Sequence, residues 1–204
     1  MRNRADIKAQ ARANFSAQYG TSLGAYIVYA LLIGAVSGAT FGIGALLLVP
    51  PLMVGYASFC LCIFRGYRGD VGNMLSAGFT DYGRSLGGIL WMELFIFLWS
   101  LLFVIPGIVK AIAYSMTPYI LADTRNVSAT DALKLSMRMT YGHKGKVFVM
   151  GLSFIGWLLL SMLTFGLLEL FYVGPYMSTS FAGLYEELKN NALRTGVIRP
   201  EELA

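Results

Sequence analysis

Residues 13–64 read ANFSAQYGTSLGAYIVYALLIGAVSGATFGIGALLLVPPLMVGYASFCLCIF, 52 consecutive positions without a charge between Arg12 and Arg65. A membrane-crossing helix takes roughly 20 mostly apolar residues, so this stretch holds two crossings and a turn. Gly42, Gly44, Pro50 and Pro51 supply the turn signals, which predicts a first helix over 22–41 and a second over 47–64. The whole chain agrees with that reading. Of its 204 residues 56% are hydrophobic and 13% charged, against about 25% charged in soluble domains, and the mean hydropathy is +0.62.

Working outward, a polar stretch over 65–84 precedes a third apolar segment over 86–105. This breaks at Pro106 and Gly107 and continues as a fourth over 108–122; Glu93 and Lys110 are the single charges in the two. A second polar stretch reaches Lys146. Residues 147–168 are uncharged, and a further uncharged run separates Glu169 from Glu186, giving a fifth and a sixth span. The fold class is therefore an all-α polytopic membrane protein of six transmembrane helices in three hairpins. Six spans take about 120 residues, which leaves no room for a soluble catalytic domain. The expected organisation is an amphipathic arm over 1–19, hairpins over 22–64, 86–122 and 147–188, cytoplasmic connections over 65–85 and 123–146, and a tail over 189–204. Each hairpin breaks near a proline, which fits a threefold repeat and fits equally the ordinary use of Pro and Gly at turns and inside membrane helices.

Charge placement tests this scheme separately. Every Lys and Arg except Lys110 falls in the arm, the two long polar connections or the tail. An excess of basic residues marks the cytoplasmic side, so both termini are expected inside. The net charge of +5 is spread between apolar runs, which points to anionic lipid headgroups and not to nucleic acid. The basic start resembles a signal peptide, but the apolar run far exceeds the 7–15 residues usual there, so an uncleaved first helix is expected. Cys60 and Cys62 lie about 200° apart on a helix and cannot bond each other.

The polar connections carry helical patterns of their own. In the arm, Ile7, Ala11 and Phe15 recur at i+4 beside a basic row of Arg4, Lys8 and Arg12, the pattern of a helix lying in the membrane interface. Farther on, Ser128 with Asp131 reads as a helix start. Asp131, Lys134 and Arg138 then form a polar stripe opposite Ala132, Leu133, Ser136, Met137 and Thr140. This helix lies either on the inner leaflet or in solvent against neighbouring loops.

Candidate sites are few. Ala30, Gly34, Gly38 and Gly42 make a small-residue ridge that lets another helix approach closely, expected to pack within the chain. Glu93, Lys110 and Glu169 are the intramembrane polar candidates, since a charge at mid-bilayer costs about 3 kcal/mol. Lys110 and Glu169 belong near the outer surface, where they could pair. Glu93 lies deeper, either protonatable in a polar cavity or bonded to a Tyr, Trp or Ser of a neighbouring helix. Lys134, Arg138, His143, Lys144 and Lys146 are candidate headgroup contacts. Asp123 and Asp131 could form a carboxylate pair. Tyr67, Tyr82, Trp91, Tyr119 and Trp157 read as interfacial belts or interhelical contacts. No Walker loop, zinc-type His pair, Gly-x-Ser-x-Gly elbow or Cys–His nucleophile arrangement occurs, so no catalytic residue, metal or cofactor is assigned.

Three groups of residues carry a family likeness. The first is Phe97-Leu98-Trp99-Ser100 through Ile105-Pro106-Gly107-Ile108-Val109-Lys110 to Tyr114-Ser115-Met116-Thr117-Pro118-Tyr119-Ile120-Leu121-Ala122-Asp123. The second is Asp131-Ala132-Leu133-Lys134-Leu135-Ser136 with Leu152-Ser153-Phe154-Ile155-Gly156-Trp157, and the third Pro175-Tyr176-Met177 with Leu184-Tyr185-Glu186-Glu187-Leu188. Together they resemble the bacterial family called domain of unknown function 975, most specifically over 95–188. The resemblance implies a polytopic protein of the bacterial cytoplasmic membrane, found especially in Gram-positive organisms, and implies no activity.

The leading expectation is a non-enzymatic membrane module that binds a lipid, an amphiphilic peptide or another membrane protein, or assembles with copies of itself, its inner-face basic helices meeting anionic phospholipid. A permease-like subunit served by a separate ATPase is the second reading. A membrane-embedded lipid enzyme using Glu93 or Asp123 is the third.

Overall fold

The computed structural model describes residues 2–40 and 43–203. It is helical throughout, with no strand among the described residues. Five helical segments are long and apolar enough to cross a membrane: Tyr19–Ala39, Gly44–Phe64, Tyr82–Leu102, Val104–Asp123 and Lys144–Leu163. The chain is thus an all-helical, multi-pass membrane protein.

The N-terminal arm is α1 (Arg4–Ala17), followed at once by α2 (Tyr19–Ala39) and α3 (Ile43–Phe64). The expected turn at Pro50 and Pro51 is not there: both prolines lie inside α3. A proline at position 51 cannot donate to the carbonyl of Leu47, four residues back. The Tyr82 hydroxyl donates to that carbonyl instead, at 3.1 Å, so the acceptor that Pro51 leaves free is satisfied from outside the helix. At the other end α3 closes in a Schellman turn: Gly66, at φ +81°, donates to Ile63, and Tyr67 donates to Cys62.

The polar stretch over 65–85 is not a plain loop. It holds α4 (Val71–Thr80), capped by the Asp70 carboxylate accepting from the Asn73 N–H at 2.8 Å. α4 folds back along α3 with backbones in contact. A Cβ on Gly55 would overlap the Met74 carbonyl, and one on Gly78 would overlap that of Pro51.

The second hairpin is α5 (Tyr82–Leu102) followed by α6 (Val104–Tyr114), turning at Phe103, so Pro106 sits within α6 and not at the break. α6 stops at Tyr114 and α7 (Thr117–Asp123) restarts the same span, with Pro118 in its first turn. α8 (Ala129–Thr140) closes the gap. Its Ser136 hydroxyl donates to the Ala113 carbonyl at 2.7 Å and accepts from the Met116 N–H at 3.3 Å, and Thr140 also reaches Ala113. The Ser128 cap and its Asp131 partner are present as read. Ala132, Leu133, Ser136 and Thr140 are buried, with Met137 partly so, and α8 packs on α5, α6 and α7. Protein, not lipid, covers that face.

The third hairpin is α9 (Lys144–Leu152) and α10 (Ile155–Leu163), a π-helical turn over Glu169–Val173, and α11 (Gly174–Arg194); a 3₁₀ turn, Pro200–Leu203, ends the described chain. α11 is among the most buried helices although it falls outside the five apolar segments. Its Thr179 and Ser180 hydroxyls donate to the carbonyls of Pro175 and Tyr176, four residues back, at 2.8 Å each. A hydroxyl bonded in this way can be buried, so a low hydropathy does not keep this helix at the surface. Val54, Cys60, Leu61 and Ile63 of α3 and Ala182, Tyr185 and Leu188 of α11 belong to the same core.

Candidate functional site

The arm's apolar row behaves as its spacing demands, but against protein: Ile7, Ala11 and Phe15 are buried on α3 and α11. The expected lipid-facing arm is corrected accordingly. Phe15 meets Tyr19 and Tyr172 edge to face at 5.4 and 5.7 Å. Side chains of α1 also satisfy the end of α3, where Asn14 and Gln10 both donate to the Phe64 carbonyl, at 2.8 and 3.2 Å.

Burying that row turns the basic row toward the third hairpin. Arg4, Lys8 and Arg12 line a cleft of about 1080 Å³ whose opposite wall is Val149, Leu152, Ser153 and Tyr176. The Lys8 ammonium donates to the Ser153 hydroxyl at 3.2 Å and to its carbonyl at 3.4 Å, and lies 4.0 Å from the centre of the Phe154 ring. It therefore sits at the C-terminal end of α9, where the helix dipole favours a cation. Burial and the neighbouring Arg4 hold Lys8 below its ordinary pKa. Beside this cleft a second one, of about 620 Å³, is lined by Arg2, Arg4, Lys146, Val149 and Leu184 among others. One face of the arm thus presents cations over an apolar wall.

The predicted site residues are scattered. Glu93 is exposed on α5, makes no hydrogen bond or ion pair among the described residues and lies outside both clefts. Lys110 and Glu169 are not paired: the Lys110 ammonium lies 5.0 Å from the Trp99 ring centre and 5.6 Å from that of Tyr114, while Glu169 accepts from the Ser161 hydroxyl at 3.5 Å. At Gly34 and Gly38 the ridge lies open, since among the described residues nothing is within 4 Å of a Cβ at either position. Ala30 is half-buried, and Gly42 is outside the described residues.

Among the expected headgroup contacts, Lys134 is held by Asp131 at 2.9 Å and Arg138 by Glu202 at 2.5 Å. His143 Nδ1 meets the Tyr141 carbonyl at 3.0 Å. Lys144 begins α9, and Lys146 lines the smaller cleft. Asp123 and Asp131 do not form a pair. Asp123 is bound by Arg65 and Lys189, each at 2.5 Å, and accepts from the Tyr185 hydroxyl at 3.0 Å. Arg65 also bridges to Glu186. Burial alone would lower the Arg65 guanidinium, yet the two carboxylates outweigh it and hold it above its ordinary value. This network ties the ends of α3, α7 and α11 together. Sequence reading missed it because its members lie far apart in the chain.

The fold and the site together define a helical, multi-pass membrane protein with a cationic cleft over an apolar wall. Residues 94–192 match the family described as Protein of unknown function (DUF975), so this stretch, from within α5 to near the end of α11, belongs to the family its motifs resemble. No curated protein and no solved structure matches the chain.

Proposed function

We propose that this protein is a non-enzymatic module of the bacterial cytoplasmic membrane that holds the headgroup of an anionic phospholipid in the cleft between α1 and α9. The carrying observation is the placement of Arg4, Lys8 and Arg12 along one wall of that cleft, with Val149 and Leu152 facing them. Cations meet a phosphate while the apolar wall meets the start of an acyl chain. Each basic residue near a charged membrane surface contributes about 1 kcal/mol.

The proposal includes a topology of six spans with both termini and the basic connections inside. The π turn and α11 as far as Tyr185 are the sixth span, shielded from lipid by α1, α2 and α3, and α4 is a short re-entrant helix packed on α3 through Met74 and Gly78. Basic-residue placement supports the orientation, and the Gly55 and Gly78 contacts support the re-entrant packing.

Native mass spectrometry of the maltoside-purified protein tests the reading. Phosphatidylglycerol should remain bound where phosphatidylcholine is lost, and Arg4→Ala with Arg12→Ala should weaken retention about fivefold per residue. Equal retention of the two lipids, or retention unchanged in the double variant, would remove the proposal.

A further inference from the structure

On another side of α11 lies a pocket of about 360 Å³ whose chemistry is the reverse of the cationic cleft. Tyr26, Tyr29, Tyr56, Tyr119, Ser178 and Glu169 are among its lining residues, and the lining contains no Lys, Arg or His. Glu169 opens the π-helical turn, and its one partner here is the distant Ser161 hydroxyl; it has no ion pair among the described residues. π turns inside helices occur often at functional sites.

The aromatic groups are fixed in place. Tyr29 and Tyr56 stack at 4.6 Å, Tyr26 lies 5.8 Å from Tyr56, and Tyr119 stacks on Tyr185 at 5.8 Å. Gly174 permits this arrangement, since a Cβ there would overlap the Tyr26 ring. The Tyr119 hydroxyl is engaged with the Ser178 carbonyl at 3.3 Å.

An anion would be repelled by Glu169, and a neutral guest would leave that carboxylate without a counter-charge. A hard metal ion requires several oxygen ligands, and here one carboxylate stands among phenol rings. Electron-rich ring faces attract organic cations, and quaternary ammonium ions are bound by such aromatic cages. We propose that this pocket binds a quaternary ammonium head, carried on a free solute or on an amphiphile, with Glu169 as counter-charge and the tyrosines as the cage. The site is separate from the cationic cleft and stands whether or not that cleft binds lipid.

The test is calorimetric titration of the full chain in a maltoside detergent with choline, with its neutral isostere 3,3-dimethyl-1-butanol, and with dodecyltrimethylammonium. Choline is expected to bind at least about tenfold more tightly than the isostere, one factor of ten being about 1.4 kcal/mol, and Glu169→Gln and Tyr29→Leu should each remove most of that preference. Binding of choline assigns the site to a free solute. Binding of dodecyltrimethylammonium alone, with the same dependence on Glu169, assigns it to an amphiphile. Equal binding of choline and the isostere, no binding of either cation, or cation binding unchanged in Glu169→Gln overturns the proposal. The isostere comparison needs only the native chain, so a variant that fails to fold leaves the test intact, and Arg12→Ala, which alters the other cleft, should change none of it.

Discussion

Lys8 and Ser153 are 145 positions apart, yet the ammonium of one lies 3.2 Å from the hydroxyl of the other. The contact fastens the arm to the break between α9 and α10. Lys8→Met should remove a cation from the end of α9 at a cost of about 1 kcal/mol, read as faster hydrogen exchange over 150–154, and Lys8→Arg should restore most of the protection. Unchanged exchange in Lys8→Met would show that the arm does not hold this break.

Two glycine substitutions separate packing from propensity. Gly78→Ala forces a methyl into the Pro51 carbonyl and should destabilise the detergent-purified protein by about 1–3 kcal/mol. Gly34→Ala meets open space and should stay within about 0.5 kcal/mol. Thermal melts that rank the two the other way would contradict the close contact of α3 and α4.

Asp123 has a side chain 10% exposed and two cationic partners. Asp123→Asn leaves Lys189 without its carboxylate and Arg65 with Glu186 alone, and should cost about 3 kcal/mol. In a double-mutant cycle with Lys189→Met the two losses should be less than additive. Strict additivity would mean the pair contributes nothing.

Acidification should loosen the arm. Burial alone would raise the Glu187 carboxyl, but Arg2, bonded to it at 2.7 Å, holds it below its ordinary 4.5. A carboxyl depressed in the folded state stabilises fully above the unfolded value, and that contribution disappears as the pH falls through the folded one. The difference in melting temperature between the native protein and Glu187→Gln should therefore be present above pH 4.5 and close on further acidification. A difference that persisted in acid would assign it to packing.

Local patterns were legible in the sequence, and long-range ones were not. The i+4 row of Ile7, Ala11 and Phe15 and the Ser128 cap report on neighbours along one helix, and both are present. What covers a helical face is a tertiary matter. Periodicity could not distinguish lipid from α3 and α11 as the cover of α1, nor show that the Gly34 ridge lies open. Proline misled in α3, where both Pro50 and Pro51 lie inside the helix and the Leu47 carbonyl that Pro51 frees is satisfied from Tyr82, 35 positions away. The tyrosine pocket left no short motif, since Tyr26, Tyr29, Tyr56, Tyr119 and Glu169 come from four separate stretches of chain. The basic row of Arg4, Lys8 and Arg12 was visible from its spacing; the wall it faces was not.

The sidedness of the chain underlies the proposed headgroup site, and single-cysteine labelling in intact cells tests it directly. In a background lacking Cys60 and Cys62, Arg68→Cys, Asn126→Cys and Asn190→Cys, all at exposed positions, should resist a membrane-impermeant thiol reagent until the cells are opened, whereas Leu167→Cys should react at once. Reaction of any of the first three in intact cells would put a basic connection on the outer face and contradict the account.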